Sequence, residues 1–374
     1  MANKKEEVVT TTTKVANGEK TVTTVTTTTE TTTTTRKKKS GWWSKLSTLM
    51  KVLVIAGAVL LVGLIVGLLV LGRVKATSNT METSVFQGET VWFNRCKKPV
   101  QGDVLVFRHP EADTVVENMR DKNYYKMTRL YGNAWCNKSV DPVKYQPKKR
   151  RPIVLSRCFG LPGDVVTIKD NIVYVNNAAV QDPVSAKYAY LTVSTGHVGL
   201  DVLEPLGLNK AGMNSSSEDA ETVISYFRNS IPSDCMAALY SMTEESANAL
   251  SKSDIIRKIQ KVSLPKEYFE RTVFPYMESL HWNSSNFGPV LVPAKGKVLK
   301  LNTDILPFYR RCIEAYEGNK VDVKDGKIFI NGDEATSYRF RRDYYFVLGD
   351  NRTSDDDSRY FGFLPANHIM GVAR

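Results

Sequence analysis

The sequence is poor in the residues that usually bind transition metals. Of its 374 residues, four are histidines and five are cysteines, and no two cysteines form a C-x-x-C pair. Because zinc and iron sites need several such ligands at short spacings, we expect no metal site and no cofactor. The histidines are scattered, and we expect each to have an ordinary surface or core role. They are His109, His197, His281 and His368.

The five cysteines give no framework of disulfide bonds. They are Cys96, Cys136, Cys158, Cys235 and Cys312. One disulfide is possible if the body of the protein is exported to an oxidising compartment, but the spacing does not select a pair. A calcium site would need a defined set of oxygen ligands, which the acidic run at 355–357 does not establish. Ion pairing with the nearby arginines is the simpler explanation of that run.

The chain carries excess positive charge but lacks a module typical of nucleic-acid binding. Its formal net charge is +12, with basic runs at 36–39 and 148–151. Nucleic-acid binding needs basic residues interleaved with aromatic residues on a folded face. Neither run has that pattern. We therefore expect a membrane-flanking cluster and a solvated loop, and no nucleic-acid partner.

The N-terminal 35 residues are rich in threonine and contain the repeated stretch VTTTT. With few apolar residues apart from valine, this tail cannot bury enough surface to fold alone, and we expect it to be disordered. Threonine also favours strands, so pairing with a partner strand is the alternative. Residues 36–51 form a basic and aromatic segment that ends next to an apolar run.

The apolar run covers the twenty residues 52–71 and contains no charge. At the helical rise, twenty residues span a bilayer core of roughly 30 Å, so we assign a transmembrane helix to residues 52–72. The run starts too far from residue 1, and is too long, for a cleavable signal peptide. Six basic residues precede it and two follow it closely. The N-terminus should therefore be cytoplasmic, and residues 76–374 should lie outside the inner (cytoplasmic) membrane, in the periplasm.

Residues 76–180 and 276–374 show the pattern of a mainly β body. Short stretches of alternating apolar and polar residues are separated by glycine-containing turns, and the Asp325-Gly326 pair predicts a hairpin. A short helix is expected within 303–317. Residues 110–150 are polar and aromatic-rich, and they look like an inserted irregular loop.

Residues 181–275 interrupt this β pattern and predict a mixed α/β insertion. A serine-capped segment at 215–230 has apolar residues at helical spacing. A second helix is predicted because Ile255, Ile256, Ile259 and Val262 would share one helical face. The expected fold is therefore a mainly β body with a mixed α/β insertion and one N-terminal transmembrane helix.

Four segments of the body carry the candidate site. In chain order they are SNTMETSV (78–85), QGDVLVFRHP (101–110), SRCFGLPGDVVTIKDNIVYVNN (156–177) and DYYFVLGDNRTSDDDSRYFGFLPANHIMGVAR (343–374). Together they resemble the type I signal peptidase (signal peptidase I) family, whose nucleophile motif is SxSMxPTL and whose final signature is GDNRxxSxDSRxxGxVP. The stretch HWNSSNFGPVLVPAKGKVLKLN further resembles Bacteroidetes-type members.

The resemblance implies a β-rich protease on the membrane surface that cuts signal peptides from exported preproteins with a serine nucleophile and a lysine base. A serine hydroxyl is a poor nucleophile until a neighbouring group takes its proton. A lysine can take it only when neutral, which burial favours by lowering its pKa. A nearby pair of hydrogen-bond donors then stabilises the oxyanion.

Carried over onto this sequence, the family pattern is broken at the positions that carry the chemistry. Thr80 stands at the nucleophile position and Ser156 at the position of the lysine base. Asp355 replaces the serine that hydrogen-bonds the lysine. Ser78, whose hydroxyl would help to bind the oxyanion, is kept, whereas the proline of PTL is replaced by Thr83.

The structural positions of the motifs are retained. They are Met81, Arg157, Gly163, Asp164, Gly349, Asp350, Asn351, Arg352, Asp357, Ser358, Arg359, Gly362 and Pro365.

The three substitutions differ in how strongly they would impair catalysis. Threonine serves as a nucleophile in some proteases, although its extra methyl group restricts the rotamer. A serine hydroxyl such as that of Ser156 cannot act as a general base near neutral pH. A free carboxylate such as Asp355, with a pKa of about 4, is a weak base. Lys148 and Lys149 lie in a charged run that should be solvated and protonated.

The resulting hypothesis is a signal peptidase-like pseudoenzyme, a binding or scaffold subunit of the protein export machinery. Its partners would be the membrane, signal peptides or preproteins, and a Sec-type translocon or an active signal peptidase paralogue. The alternative is an active, divergent signal peptidase that uses Thr80 as its nucleophile.

Overall fold

The computed structural model describes residues 5–16, 19–30, 43, 46–138, 141–208, 220–354 and 356–374. The chain divides into two units, Met1–Ile65 and Val66–Arg374. The helices are α1 Thr48–Val70, α2 Tyr124–Tyr131, α3 Leu200–Leu203, α4 Ala220–Tyr226, α5 Glu244–Leu250, α6 Leu306–Arg311 and α7 Ser358–Phe361. The strands are β1 Lys5–Ala16, β2 Glu19–Glu30, β3 Leu71–Lys75, β4 Thr90–Asn94, β5 Val104–Arg108, β6 Thr114–Val116, β7 Val143–Tyr145, β8 Ile153–Gly160, β9 Val165–Lys169, β10 Ile172–Val175, β11 Ala178–Val180, β12 Tyr188–Ser194, β13 Met236–Met242, β14 Ile256–Lys261, β15 Phe287–Leu291, β16 Val298–Lys300, β17 Val321–Lys324, β18 Lys327–Ile330, β19 Asp333–Glu334, β20 Ser337–Arg339, β21 Tyr344–Leu348, β22 Leu364–Pro365 and β23 Ile369–Ala373.

The described part of the threonine-rich tail forms a β-hairpin, where we expected disorder. β1 and β2 pair antiparallel, from Lys5 opposite Glu30 to Ala16 opposite Glu19. Threonine and valine are β-branched and favour extended backbone. The expectation of disorder gave this strand preference less weight than the low apolar content of the tail. Residues 31–42, which include the basic run, lie outside the described part of the chain.

Helix α1 is long and apolar enough to cross a membrane. It has 23 residues, and apolar side chains such as Leu53, Leu60 and Leu69 are exposed. The helix begins at Thr48, before the predicted start at residue 52, and ends at Val70. Residues 71 and 72, predicted as helix, instead belong to β3, because Leu71 and Gly72 pair with β4.

A seven-stranded sheet in the second unit positions the candidate site. Its order is β22-β21-β8-β5-β23-β4-β3, and all described pairings between these strands are antiparallel. β8 lies between β21 and β5 and is buried along most of its length. The sheet therefore places β8, which carries Ser156, beside the end of β21, where the last family motif begins.

The remaining body confirms the mainly β prediction. A four-stranded sheet, β11-β10-β9-β15, and two smaller sheets, β17-β18-β19 and β16-β20, enclose a core with α6. The predicted hairpin joins β17 and β18, and Asp325 and Gly326 both have positive φ angles, as a tight hairpin turn requires. The short helix expected within 303–317 is α6, which continues as a π-helical turn at Cys312–Tyr316.

Residues 110–150 are more ordered than the predicted irregular loop. β6 pairs with β7, and α2 lies between them in the sequence. Arg129 of α2 makes a bidentate ion pair with the buried Glu111: its Nη1 and Nη2 donate to Oε1 and Oε2 at 3.0 and 2.9 Å. This ion pair holds α2 against Glu111, which lies just after β5 in the chain.

The insertion is a mixed α/β unit, as predicted, but one of its predicted helices is a strand. Its sheet has the order β13-β12-β14, and α4 confirms the helix predicted within 215–230. Ile256 and Ile259 lie on β14 rather than on a helix. A β-bulge opposite Val193 and Ser194 adds one residue to this strand, so that residues three apart share a face. The bulge imitates helical spacing, and this explains the wrong prediction.

Candidate functional site

The segment after β3 folds back on itself and places Thr80 in the interior. The Ala76 N–H donates to the Glu89 carbonyl at 2.8 Å, and the Ser84 and Val85 N–H groups donate to the Met81 carbonyl. Thr80 is 0% exposed. Residues 76–89 therefore form a closed loop, and its turn at residues 78–85, here called the Thr80 turn, buries the candidate nucleophile.

The Thr80 hydroxyl has two hydrogen-bond partners among the described residues. It donates to the Leu155 carbonyl at 2.6 Å, and Ser78 Oγ lies 2.7 Å from Thr80 Oγ1. Because Thr80 has a single hydroxyl proton and a carbonyl can only accept, Ser78 is the donor of the second bond. A peptide carbonyl does not take up a proton near neutral pH, so this arrangement keeps the proton on Thr80.

Ser156, at the position of the base, meets Thr80 at the same carbonyl. Ser156 is 0% exposed, and its Oγ donates to the Leu155 carbonyl at 2.7 Å. The structure thus brings the predicted nucleophile and base positions together. In the described part of the chain, no amine or imidazole is hydrogen-bonded to either hydroxyl. The pair consists of two alcohols that share one acceptor.

The loop after β21 holds the backbone of the Thr80 turn. Leu348, the last residue of β21, lies opposite Arg157, so the loop begins beside Ser156. The Asn351 N–H donates to the Thr80 carbonyl at 2.9 Å, and Asn351 Nδ2 donates to the Asn79 carbonyl at 3.1 Å. A Cβ at Gly349 would lie 2.6 Å from the Thr80 carbonyl oxygen. A glycine is therefore required at this position for the two segments to approach each other.

Asp350 and Arg157 form an ion pair beneath this loop. Arg157 Nε and Nη2 donate to the two oxygens of Asp350 at 2.8 and 2.6 Å. The Asp350 side chain is fully buried, and that of Arg157 is 21% exposed. The hydrogen bond to Asp350 raises the pKa of Arg157 above its usual value, although burial opposes this shift. These two motif residues are held together as a structural unit.

Three further motif residues stabilise the end of the same loop. Asp357 caps α7 and accepts hydrogen bonds from the Arg359 N–H and side chain. Its second oxygen also accepts the Gly349 N–H at 3.2 Å. Ser358 Oγ accepts the Val347 N–H at 2.9 Å. Each of these contacts stabilises the loop. We therefore assign these three residues a structural role and not a catalytic one.

Gly163 and Asp164 form a turn between β8 and β9. Gly163 has a positive φ of 97°, which favours glycine. Asp164 accepts the Leu161 N–H at 2.7 Å and Asn176 Nδ2 at 2.8 Å. These contacts give both residues a structural explanation.

Asp355 lies outside the described residues, but its neighbour Asp356 faces His109. His109 Nδ1 accepts the Glu111 N–H at 3.2 Å, so Nε2 carries the proton that faces Asp356 Oδ1, 3.4 Å away. Burial raises the pKa of the Asp356 carboxyl, but the hydrogen bond from His109 and nearby positive charge, including that of Lys126, lower it below its usual value. Asp356 is therefore held as a carboxylate.

A cavity of about 390 Å³ opens beside the Thr80 turn. Most of the residues that line it are polar or charged, among them His109, Lys122 and Asp356. Its lining includes Thr77, Ser78, Asn79, Val115, Ile153 and Val154. Ser78 is half-buried, whereas Thr80 is fully buried, so Ser78 is the hydroxyl of the pair that reaches this cavity.

Sequence reasoning missed His109 and Asp356 at this cavity. His109 was expected to have an ordinary surface or core role, and Asp356 an ion pair with arginine. A signal was present in the sequence, because His109 follows the strand QGDVLVFR directly. β5, which contains most of that stretch, pairs with β8, so its end lies near the site.

The model of one protein family, signal peptidase, peptidase S26, matches residues 47–247 and 335–374, which is more than half of the chain.

Curated relatives show the same similarity over shorter stretches. The probable signal peptidase I-2 of Synechocystis sp. is 34% identical over 102 residues, which cover 22% of this chain and 46% of that protein. Thylakoidal processing peptidase 1, chloroplastic, of Arabidopsis thaliana is 39% identical over 77 residues, 17% of this chain and 22% of that protein. The signal peptidase I of Leptolyngbya laminosa is 31% identical over 110 residues, 25% of this chain and 54% of that protein. The chain thus spans about half or less of the length of these relatives.

Proposed function

Because this chain belongs to the signal peptidase family, peptidase S26, we propose that it is a membrane-anchored signal peptidase-like protein that binds exported peptides without cutting them. The observation that carries this proposal is the pairing of two alcohols at the Leu155 carbonyl. Thr80 and Ser156 both donate to that oxygen, at 2.6 and 2.7 Å. A nucleophile needs a neighbour that accepts its proton, and neither alcohol can do so near neutral pH.

The cavity beside the Thr80 turn is the proposed peptide-binding groove. The half-buried Ile153 contributes apolar surface beside the buried Val115 and Val154, and the exposed Thr77 also lines the cavity. Extended peptides bind such grooves through apolar side-chain contacts combined with a few polar groups. The retained fold and groove therefore support binding of a signal peptide or preprotein, even where cleavage chemistry is missing.

The basic flank of α1 supports a cytoplasmic N-terminus and a body on the outer side of the inner membrane, in the periplasm. There the protein would be a binding or scaffold subunit beside a Sec-type translocon or an active signal peptidase paralogue. This arrangement would place the groove where exported preproteins emerge.

Peptide binding tests the proposal directly. A fluorescently labelled synthetic signal peptide is titrated against the full chain in detergent, and its anisotropy is followed. We expect saturable binding by the natural protein and at least about tenfold weaker binding by Thr77→Trp, since the indole would fill the groove entrance.

The matched control is Thr303→Trp, which places the same side chain at an exposed position elsewhere in the body. It should bind the peptide as the natural protein does. No saturable binding by the natural protein, or equal loss of binding in both variants, would refute the groove.

The alternative function is an active, divergent signal peptidase with Thr80 as its nucleophile. One observation favours it: His109 and Asp356 line the same cavity as Ser78, whose hydroxyl is hydrogen-bonded to Thr80. In that case His109→Asn and Thr80→Ala should each abolish cleavage of a preprotein while leaving peptide binding intact.

A further inference from the structure

Residues 182–188 of the insertion, here called the clamp segment, add a short strand-like contact to the loop after β21. The Lys187 N–H donates to the Asp350 carbonyl at 2.8 Å, and the Arg352 N–H donates to the Lys187 carbonyl at 2.9 Å. Lys187 and Asn351 form a parallel bridge. The insertion is thereby tied to the loop that holds the Thr80 backbone.

The clamp segment also contacts the Thr80 turn itself. Thr83 Oγ1 donates to the Ser185 carbonyl at 2.5 Å, and Ser84 Oγ lies 2.9 Å from Ser185 Oγ. Ser84 and Ser185 both donate to Asp350 Oδ2, at 2.5 and 3.3 Å. A buried carboxylate thus joins the turn, the loop and the insertion.

The ends of the clamp segment are anchored by Arg352, whose side chain is 4% exposed. Arg352 Nη2 lies 2.5 Å from Asp182 Oδ1, and Arg352 Nη1 donates to the Tyr188 hydroxyl at 3.1 Å. Tyr188 also donates to Asp182. A buried guanidinium with several hydrogen bonds is a rigid anchor, because releasing any partner leaves a buried donor unsatisfied.

Two residues of the turn that contact the clamp segment depart from the family pattern, whereas Asp350 and Arg352 are retained motif residues. Thr83 and Ser84 stand where the family motif has proline and threonine, and a proline has no hydroxyl to donate to Ser185. The altered turn and the insertion therefore make a matched contact. The turn that they fix carries Thr80, which is 0% exposed.

We propose that the insertion is a control element of the site: the clamp segment holds the Thr80 turn closed, and its release exposes the turn. The inference rests on the proposed function only in taking the Thr80 turn and the adjacent groove as the functional site. In this proposal, the insertion regulates access to that site.

Hydrogen–deuterium exchange of the full chain in detergent, without peptide, tests whether the clamp segment holds the Thr80 turn closed. The double variant Thr83→Val/Ser84→Ala removes the clamp hydroxyls while keeping the side-chain shapes close. Each lost hydrogen bond weakens the closed state, so amides in residues 78–85 should exchange roughly tenfold faster or more. Amides of β9 should exchange as in the natural protein, which would show that the opening is local.

Ser251→Ala is the matched control, because the Ser251 hydroxyl is bonded within its own turn to the Asn248 carbonyl. It should leave exchange in residues 78–85 unchanged. If the double variant accelerates exchange throughout the body, the same measurement is made on Asp182→Asn. This variant weakens the contact between Arg352 and residue 182 and leaves Thr83 and Ser84 unchanged. The proposal would be overturned if residues 78–85 exchange as in the natural protein in the double variant, or in Asp182→Asn where that variant is used instead. The assay contains no peptide, so failure of peptide binding would not alter its result.

Discussion

At the residue scale, the chemistry of the site depends on where one proton is held. Thr80 donates its hydroxyl proton to a backbone carbonyl, and Ser156 donates to the same oxygen. A lysine at position 156 would be buried, and burial would lower its pKa toward the neutral form that a base requires. Ser156 offers no such group, and its hydroxyl is instead satisfied by the Leu155 carbonyl.

Asp350→Ala should destabilise the body strongly. The substitution leaves Arg157, Ser84 and Ser185 without their shared acceptor in a buried place. Breaking a buried ion pair from one side costs about 3 kcal/mol or more of unfolding free energy. Chemical denaturation of the full chain in detergent, followed by tryptophan fluorescence, measures the loss. Lys97→Ala breaks an exposed ion pair with Asp103 and should cost less than about 1 kcal/mol. Equal losses in the two variants would contradict the account.

His368 should make folding stability fall as the pH falls. Burial, with the positive charges of Arg151, Lys148 and Arg311, lowers the pKa of His368 to about 4, although a hydrogen bond with the Arg108 carbonyl opposes this. An unfolded histidine has a pKa of about 6.5. Between these values the unfolded chain binds the extra proton, so stability is lost on acidification, by roughly 3 kcal/mol at most.

His368→Asn isolates this contribution. Denaturation midpoints at pH 7 and pH 4.5 should differ less for this variant than for the natural protein. His197→Asn replaces an exposed histidine and should retain the full difference. If His368→Asn and the natural protein lose the same stability on acidification, His368 is not the cause.

At the element scale, the close approach of the Thr80 turn and the loop after β21 depends on Gly349. Gly349→Ala would place a Cβ 2.6 Å from the Thr80 carbonyl oxygen. The backbone must shift, so we expect a loss of roughly 1–3 kcal/mol in unfolding free energy and faster amide exchange in residues 78–85. Gly196→Ala, where a Cβ meets nothing within 4 Å, should change neither measurement. No difference between the two alanine variants would show that the approach is not tight.

Much of the secondary structure could be predicted because local patterns and turn residues agree with the fold. The strands around the Pro-Gly-Asp turn and the Asp325-Gly326 hairpin are examples. β14 could not be predicted, because its bulge depends on the partner strand β12 and imitates helical spacing. The hairpin in the tail was missed because strand preference was given too little weight against low apolar content.

Part of the site could also be predicted from sequence. The motif resemblance placed Thr80 and Ser156 together, and the structure shows that they meet at the Leu155 carbonyl. The clamp segment could not be predicted, because Ser185 is about a hundred residues from Thr83 and belongs to no recognised motif. Contacts between an insertion and a loop depend on tertiary packing that a single sequence does not encode locally.

At the scale of the whole molecule, the proposed orientation assigns opposite sides of the membrane to the two ends of α1. Cys96 is an exposed free cysteine in the body. In intact cells a membrane-impermeant maleimide should label Cys96, and Cys96→Ser should lower the labelling. A cysteine introduced by Ser40→Cys, before α1, should react only after the membrane is opened. The reverse pattern would contradict a cytoplasmic N-terminus.

The chain as a whole combines a helix long and apolar enough to cross a membrane, a signal peptidase fold and an insertion that contacts the Thr80 turn. The structure shows motif residues such as Asp350, Asp357 and Arg359 holding the loop, whereas the resemblance implies that the residues that would move a proton are replaced. We propose that such a molecule holds a peptide at the membrane surface and that the insertion controls access to the site.

Cleavage of a preprotein by the purified full chain tests the central claim most directly. The substrate is incubated with the natural protein, with Thr80→Ala and, as a positive control, with an active signal peptidase. We predict that the natural protein releases no more mature product than Thr80→Ala does. Release of mature product by the natural protein that Thr80→Ala abolishes would contradict the account and establish an active enzyme.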